Sequence, residues 1–514
     1  MKRNFLVLLV IILISTFAIG ISVQDSTAAE KGKYGGIFKF NQGKGASRFG
    51  VPLNIRHVDR FYGGLFIQPL VRFTENQNEY IPELATSWEL SPDRKHYTFH
   101  LRKGVKFHDG TDFNAQAVKW NLDKVPPDPR PVLDNVSSID VIDDYTIRFN
   151  LTSWDSLFLN TLLWDACIII SPTSYEKNGE NWANTHPIGT GPWKLKSHKR
   201  NIIMKVEKFQ DYWEKGIPYF DGMEITMIPD AMTAMAAFKR RDIDCLYQID
   251  VISASELKAS GKYDIGFVPW GRGMIVLNST DPKSVWSNKK MRQALEYAID
   301  KEKLCASLGR GYVDPIYEII HSVPGNPGTV PRRYNPEKAR QLIRDAGYPQ
   351  GVKLSLTHAS GGSNDFVVAL QHNLADVGIQ VKLNPVHPAI LNQMSHEPLP
   401  GSDLRLEGQR GGLNNSLASC KETLSSKSVY FPGLKRPAGF DNFLQQALTL
   451  DDPNKIVPIL EKMEKLAYDN VMLVPLWTGP FIYIAHPDVK NIQFFVGGSP
   501  TQGGLLHYTW FDKK

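Results

Sequence analysis

The histidines and paired carboxylates of this 514-residue chain are the residues whose types and spacing could do chemistry. His96, His100 and His108 cluster in sequence, and on an extended strand His96 and His100 share a face. No carboxylate or cysteine completes a ligand set beside them, so they are read as surface or internally satisfied imidazoles. Asp143-Asp144 and Asp451-Asp452 stand in turn or cap contexts, where solvation and backbone capping account for a carboxylate. The chain contains no GxSxG, HExxH or GxxxxGK[ST] motif, and Gly43, Gly45 and Gly50 have the wrong spacing for a dinucleotide loop. Nothing pairs a nucleophile with a base. The reading is a non-catalytic protein with no cofactor and no metal. Cys167, Cys245, Cys305 and Cys420 lie far apart without a CxxC pair, which argues against a zinc site or a disulfide-dense miniature fold.

Composition narrows the class. Apolar residues make up 42% and charged residues 22%, which excludes wholesale disorder and a multispan membrane architecture. Lys and Arg number 59 against 53 Asp and Glu, a formal net charge of +6. No basic run concentrates that surplus, so nucleic acid is not an expected partner, whereas an acidic ligand or surface is tolerated. The length corresponds to roughly three structural units. At the N-terminus, Lys2 and Arg3 precede an apolar stretch from Phe5 to Ile21, and the small residues Ser26-Thr27-Ala28-Ala29 follow. That three-part layout is a secretory signal peptide over 1–29. The alternative is an uncleaved anchor, since the stretch is nearly long enough to span, but Ser15, Thr16 and Gly20 dilute it. No cysteine lies near the exit for lipid attachment, so a freely diffusing periplasmic protein is expected.

The elements that must position any site change character along the chain. In the first half, Tyr97, Phe99 and Leu101 alternate with polar residues, as do Tyr145, Ile147 and Phe149, the period of half-buried strands. Asp109-Gly110 marks a turn. In the second half, Met291, Leu295, Ala298 and Ile299 fall on one helical face, with Ser287 or Asn288 as N-cap. Asn335, Pro336 and Gly347 supply cap, first turn and stop of another helix. Val352, Leu354 and Leu356 then alternate, and Phe366, Leu370, Leu374 and Val377 recur at helical spacing. Gly378 ends that helix before Ile379, Val381 and Leu383 alternate again. Strand, helix, strand at this length requires a parallel pair with a crossover, so the second half is α/β.

The stretch "IPELATSWELSPDRKHYTFHLRKGVKFHDGTDFNAQAVKWNLD", Ile81 to Asp123, closely resembles the signature of family 5 extracellular solute-binding proteins, the peptide- and nickel-type binding components of ABC importers. "YGGIFKF", "PIGTGPWKL", "FQDYWEKGIPYFDGMEITMIPD", "MRQALEYAIDKEKL" and "YNPEKARQLIRDAGY" continue the resemblance in family order. Most of these residues are scaffold; Gly189 and Gly191, for example, are read as building a tight turn beside Trp193. The resemblance implies an α/β, two-lobed periplasmic-binding-protein-like fold with an extra β-rich subdomain. Lobe I would comprise residues 30–268, the subdomain about 65–172, lobe II 269–477, and residues 478–514 would return to lobe I. It implies capture of a peptide or peptide-like solute, a monomer, and delivery to permease subunits in the inner membrane. A sensing or chaperone-like module of the same fold is the second reading. A secreted hydrolase is the third and lacks its constellation.

The pocket departs from the family pattern. Peptide binders carry Gly-Trp-x-x-Asp in lobe II, its Asp neutralising the ligand's α-amino group; here Gln409 stands in place of the Trp and Gly412 in place of the Asp. The nickel-type Arg before Ser-Pro is missing from "LLWDACIIISP", and no His lies between Glu397 and Tyr430. Arg272, Arg405 and Arg410 are left to oppose an anionic group, with a solvated surface Arg as the alternative for each. Trp270 and Trp477, beside the two interlobe passes, face either the cleft or the lobe cores. Ser47 and Arg48 follow the first strand, where the family reaches its ligand. Cys305 and Cys420 both fall in lobe II and are the candidate disulfide pair, against four free buried thiols. The signal layout predicts a mature protein beginning near Ala29 or Glu30. N-terminal sequencing of the periplasmic protein checks this; Met1 retained in the membrane fraction would establish the anchor instead.

Overall fold

The computed structural model describes residues 34–512, except 44, 56–57, 75–78, 126–132, 164–166, 321–329, 361–363, 402, 409–415 and 494–505. The signal segment therefore lies outside the described residues, as do Gln409, Arg410 and Gly412. Among the described residues no helix is long and apolar enough to cross a membrane.

The alternations read from the sequence become strands. His96–Leu101 and Thr146–Leu151 are the central pair of a four-stranded antiparallel sheet whose outer strands are Ala85–Leu90 and Val136–Asp143. Phe99, Leu101, Ile147 and Phe149 turn inward onto Phe107, Phe113 and Val118, giving this subdomain a core of its own. In the second half, Asn288 accepts a hydrogen bond from the Lys290 N–H and opens the helix Lys289–Tyr297. Asn335 caps Pro336–Asp345 in the same way. Val352–Ala359 and Ile379–Val386 pair in parallel, with Asp365–Asp376 crossing between them. One face differs from expectation. Val367 takes the core position with Leu370 and Leu374, while Phe366 stays half-buried with its ring 4.8 Å from that of Trp477.

An eleven-stranded sheet ties both halves together. Across it run Ile379–Val386, Val352–Ala359, Leu404–Gly408, Asp264–Leu277, Val474–Ala485, Cys245–Ile249, Ile37–Asn41, Gly222–Thr226, Ile203–Lys208 and Trp193–Lys199; Asp314–Pro315 joins Val474–Ala485. The two long strands, Asp264–Leu277 and Val474–Ala485, pair antiparallel from Asp264 opposite Ala485 to Ile275 opposite Val474. Their outer edges are shared unequally. Gly273–Leu277 pairs with Leu404–Gly408 on one side, and Ile482–Ala485 pairs with Cys245–Ile249 on the other. The long pair is thus the passage between two bodies with separate cores, and the protein is a two-lobed mixed α/β fold. Its register shifts between Pro269 and Gly271 and again between Gly273 and Met274, opposite Pro475, Gly479 and Pro480. Prolines without a donor and bulged residues interrupt the ladder at the crossing.

The chain bends at Gly189–Gly191, and its glycines are needed there for close approach rather than for backbone conformation. Neither glycine has positive φ. A Cβ on Gly189 would sit 2.2 Å from the Phe66 carbonyl oxygen, and one on Gly191 2.7 Å from the Phe66 carbonyl carbon. The requirement is close backbone approach. His108 is buried against the same segment, its Nε2 donating to the Gly191 carbonyl at 2.9 Å. The four cysteines are buried and free, so the bridge between Cys305 and Cys420 is not formed. Burial pushes the Cys305 thiol up to about 12 and raises that of Cys420 as well, which keeps both protonated.

Burial, with Lys194 adding to it, pushes His108 down to about 4, and burial pushes His507 down to about 3. Between those values and the unfolded value of about 6.5, the unfolded chain binds more protons, so both groups cost stability as pH falls through that window. Buried Glu83 and Glu464, each pushed up to about 7, act in the opposite sense there, because the native state takes up their protons first. The diagnostic is therefore a difference. His108→Gln should gain about 3 kcal/mol relative to the wild type between pH 7.5 and pH 4. Urea denaturation at the two pH values measures it, and equal differences at both would remove His108 from the acid response.

Candidate ligand-binding site

The junction of the two lobes is built from the crossing strands and what packs beside them. On the lobe I side, Phe481 of the second long strand meets Tyr247 at 5.7 Å, Tyr247 lies 6.5 Å from Phe61, and Phe61 stacks on buried Phe40 at 5.5 Å. Phe61, Tyr247 and Phe481 are half-buried, a set of aromatic rings that the core beneath holds but does not cover. On the lobe II side, the Trp477 indole lies against Gly273, where a Cβ would come within 2.6 Å of Cε2, and its other neighbour is Phe366. Trp477 is also half-buried, so its ring is shared between the lobe II core and the junction. Trp270 lies on the first long strand at the register shift between Pro269 and Gly271. At Gly271 and Gly408 an added Cβ would meet nothing within 4 Å among the described residues. Half-buried rings that include the amphipathic Tyr247 and Trp477 suit a solute with apolar and polar parts.

The loop carrying Ser47 and Arg48 borders lobe I. Both residues are exposed, and the loop is fixed from below. Asp59 accepts the Ser47 N–H at 2.6 Å and the Ser47 hydroxyl at 3.2 Å. Burial raises the Asp59 carboxyl, and these hydrogen bonds pull it back down. Ser47 is therefore an anchor for the loop, while Arg48 presents its side chain outward.

Arg272 and Arg405, expected either at a ligand anion or in solvent, are in neither place. Arg272 is 2% exposed. Its guanidinium donates to the Ile319 carbonyl at 3.0 Å, to the Glu318 carbonyl, and to the Glu318 carboxylate at 3.1 Å. Glu464 completes this cluster by accepting the Ile319 and Ile320 N–H groups; burial outweighs these hydrogen bonds and leaves its carboxyl pushed up to about 7. Arg405 is 1% exposed, pairs with Glu407 at 2.7 Å, donates to the Met394 carbonyl and lies 5.7 Å from the Phe431 ring. A buried guanidinium needs a carboxylate and carbonyls around it, and each of these two has them inside lobe II. The sequence missed Phe61, Tyr247, Phe366 and Phe481 because their spacing is that of ordinary core residues; only the crossing brings them together.

A surface groove between Ala115–Leu122 and Pro172–Asn178 is a poorer candidate. It lies on the outside of the four-stranded subdomain, and its polar groups bond one another: Trp120 Nε1 to Glu176 at 2.7 Å, Lys119 to Asp123 at 2.9 Å.

Two lobes, two crossing strands and a junction lined by half-covered aromatic rings define a lobed solute-binding protein. Residues 79–400 match the model of Bacterial extracellular solute-binding proteins, family 5 Middle. The glutathione-binding protein GsiB of Shigella flexneri is 31% identical over 414 residues, 76% of this chain and 79% of GsiB. The chain belongs to the family 5 extracellular solute-binding proteins. Solved structures share its fold. The periplasmic binding protein DppA from Helicobacter pylori, in complex with peptide STSA, superposes with a TM-score of 0.81 at 23% identity, covering 94% of this chain and 99% of DppA. The oligopeptide-binding protein AppA from Bacillus subtilis, in complex with a nonapeptide, gives 0.79 at 21% identity, covering 94% and 100%.

The assignment of Arg405 to the interior is open to measurement. Arg405→Ala leaves the Glu407 carboxylate buried without its ion-pair partner and should lower stability by about 3–5 kcal/mol in urea denaturation. The double replacement by Met at 405 and 407 should recover much of that loss. A variant as stable as the wild type but deficient in solute binding would return Arg405 to the ligand.

Proposed function

We propose that this chain is the exported, non-catalytic capture component of an ABC importer. It takes a peptide or peptide-like organic solute between lobe I (residues 30–268, with the β-rich subdomain at about 65–172, and the returning segment 478–514) and lobe II (269–477). It acts as a periplasmic monomer and hands the solute to permease subunits in the inner membrane. The hinge of this reading is the interrupted ladder at Pro269–Gly273 and Pro475–Pro480, where few backbone dihedrals have to change for the lobes to rotate. The observation that carries it is the family membership together with the aromatic junction at that ladder. Glutathione is the first solute to test, because the GsiB relatives are named for it.

The cation set differs from the one first read. With Arg272 and Arg405 paired inside lobe II, Arg48 on the exposed loop is the described cation that supports recognition of a solute carboxylate. Isothermal titration calorimetry of the mature protein with glutathione, free dipeptides and N-blocked dipeptides tests the reading. Micromolar binding, about −8 kcal/mol, is expected for at least one class, without product formation. Trp477→Ala should weaken that binding about tenfold or more, as loss of an aromatic anchor does. Heats of dilution alone across the whole panel would overturn the peptide-like assignment, and turnover would overturn the non-catalytic one.

A further inference from the structure

Leu157 and Phe158 are adjacent in the chain but serve different lobes. Phe158 stacks on Tyr97 at 4.7 Å inside the four-stranded subdomain. Leu157, 4% exposed, is buried in the lobe II cluster that contains Leu417, Ala418, Cys420 and Leu448. Polar contacts surround this insertion. The Ser156 N–H donates to the Leu448 carbonyl at 2.8 Å. Asp155 accepts the Leu157 N–H at 2.9 Å through Oδ1, and its Oδ2 meets Lys421 Nζ at 2.7 Å. Beside the loop, Arg94 lies over the Trp154 ring at 4.3 Å and reaches Asp451 at 2.5 Å and the Thr449 carbonyl at 3.2 Å. Trp154 is itself held by the Tyr97 hydroxyl at 3.2 Å. Arg94 and residues 154–157 belong to one body; Lys421 and residues 448–451 belong to the other. None of these residues is on the crossing strands.

We propose that the loop 154–157, with Arg94, is a latch that clasps lobe II and holds the lobes together without any solute. Rotation about the crossing strands has to withdraw Leu157 from its apolar site and separate Asp155 from Lys421. Burying a Leu side chain of this kind biases the closed-to-open ratio by about tenfold to a hundredfold, and the half-buried ion pair adds register to that bias. The loop is suited to this role because the subdomain core braces it: Trp154 and Phe158, on either side, pack at home, while Leu157 is buried in the apolar cluster of lobe II. Exposed Arg94–Asp451 contributes orientation more than strength, since an exposed pair is screened by salt. The latch rests on the two-lobed fold and not on the identity of the solute.

Small-angle X-ray scattering of the solute-free mature protein tests the latch. Lys421→Glu places two carboxylates face to face, and Leu157→Ser removes the apolar insertion. Each is expected to lower the closed-to-open ratio about fivefold to thirtyfold and to enlarge the radius of gyration. The charge-swapped double variant Asp155→Lys/Lys421→Glu should move the radius back toward the wild-type value. Thermal denaturation run alongside verifies that each variant is folded; Lys421 is partly exposed, so its replacement leaves both lobe cores intact. Folded Lys421→Glu and Leu157→Ser proteins with an unchanged radius would overturn the proposal. So would a double variant no more compact than the single one. Because no solute is present, a wild type that binds none of the peptide panel would overturn the function proposed above and leave this result standing.

Discussion

The antiparallel ladder between Asp264–Leu277 and Val474–Ala485 is the constraint on which the rest of the structure depends. Each strand belongs to both lobes, so a single hydrogen-bonded pair sets how the two halves of the eleven-stranded sheet face one another. At its ends the ladder is buttressed by a third strand, Leu404–Gly408 in one lobe and Cys245–Ile249 in the other. In the middle it has prolines, glycines and register shifts instead. A strand pair that is regular at both ends and interrupted between them concentrates compliance at one place. The aromatic rings of the candidate site stand at that place because the strands bring Phe481 and Trp477 there.

Burial of charge follows from the same architecture. Lobe II covers the end of the ladder with helices, so polar groups on the covered face of Leu404–Gly408 lose water and must be paired. Arg405 with Glu407, and Arg272 with Glu318 and Glu464, are the outcome. Isolated charges there would carry a desolvation cost of several kcal/mol each, which carboxylate partners and backbone carbonyls offset. Such clusters fix geometry: Glu464 pins the Ile319 and Ile320 amides and so ties the segment after Asp314–Pro315 to the helix Pro453–Asp469.

The family signature has a packing explanation in lobe I. Segments far apart in sequence, around Phe66, His108 and Gly189–Gly191, meet with backbone against backbone. Thr190, fully buried, donates its hydroxyl to Gln68, which in turn donates to Glu83 and to Tyr212. Residues in such a junction have no room to vary independently, which is why these motifs mark the fold. The subdomain they anchor then has a rigid base from which its 154–157 loop reaches the other lobe.

Local order was legible in the sequence because it is governed by period and by caps. Asn288, Asn335, Gly347 and Gly378 stand where helices begin and end, and the alternation of Phe99, Leu101, Ile147 and Phe149 marks strands before any tertiary contact is known. The βαβ unit and the change of character between the halves follow from the same local rules, and the ordered motifs carry the family. The fate of individual polar and aromatic side chains did not follow. Arg272 and Arg405 read as surface or ligand cations because nothing nearby in sequence says that Glu464 or Met394 will close over them. Phe366 read as core, and it is Val367 that goes inside, because the Trp477 indole is waiting for Phe366 at the junction. Leu157 gave no signal at all, since its partners lie some 300 residues away in the other lobe. Periodicity reports which face of an element is apolar; what that face meets, and whether a charge finds its counter-ion inside, is set by long-range contacts that only the folded chain contains.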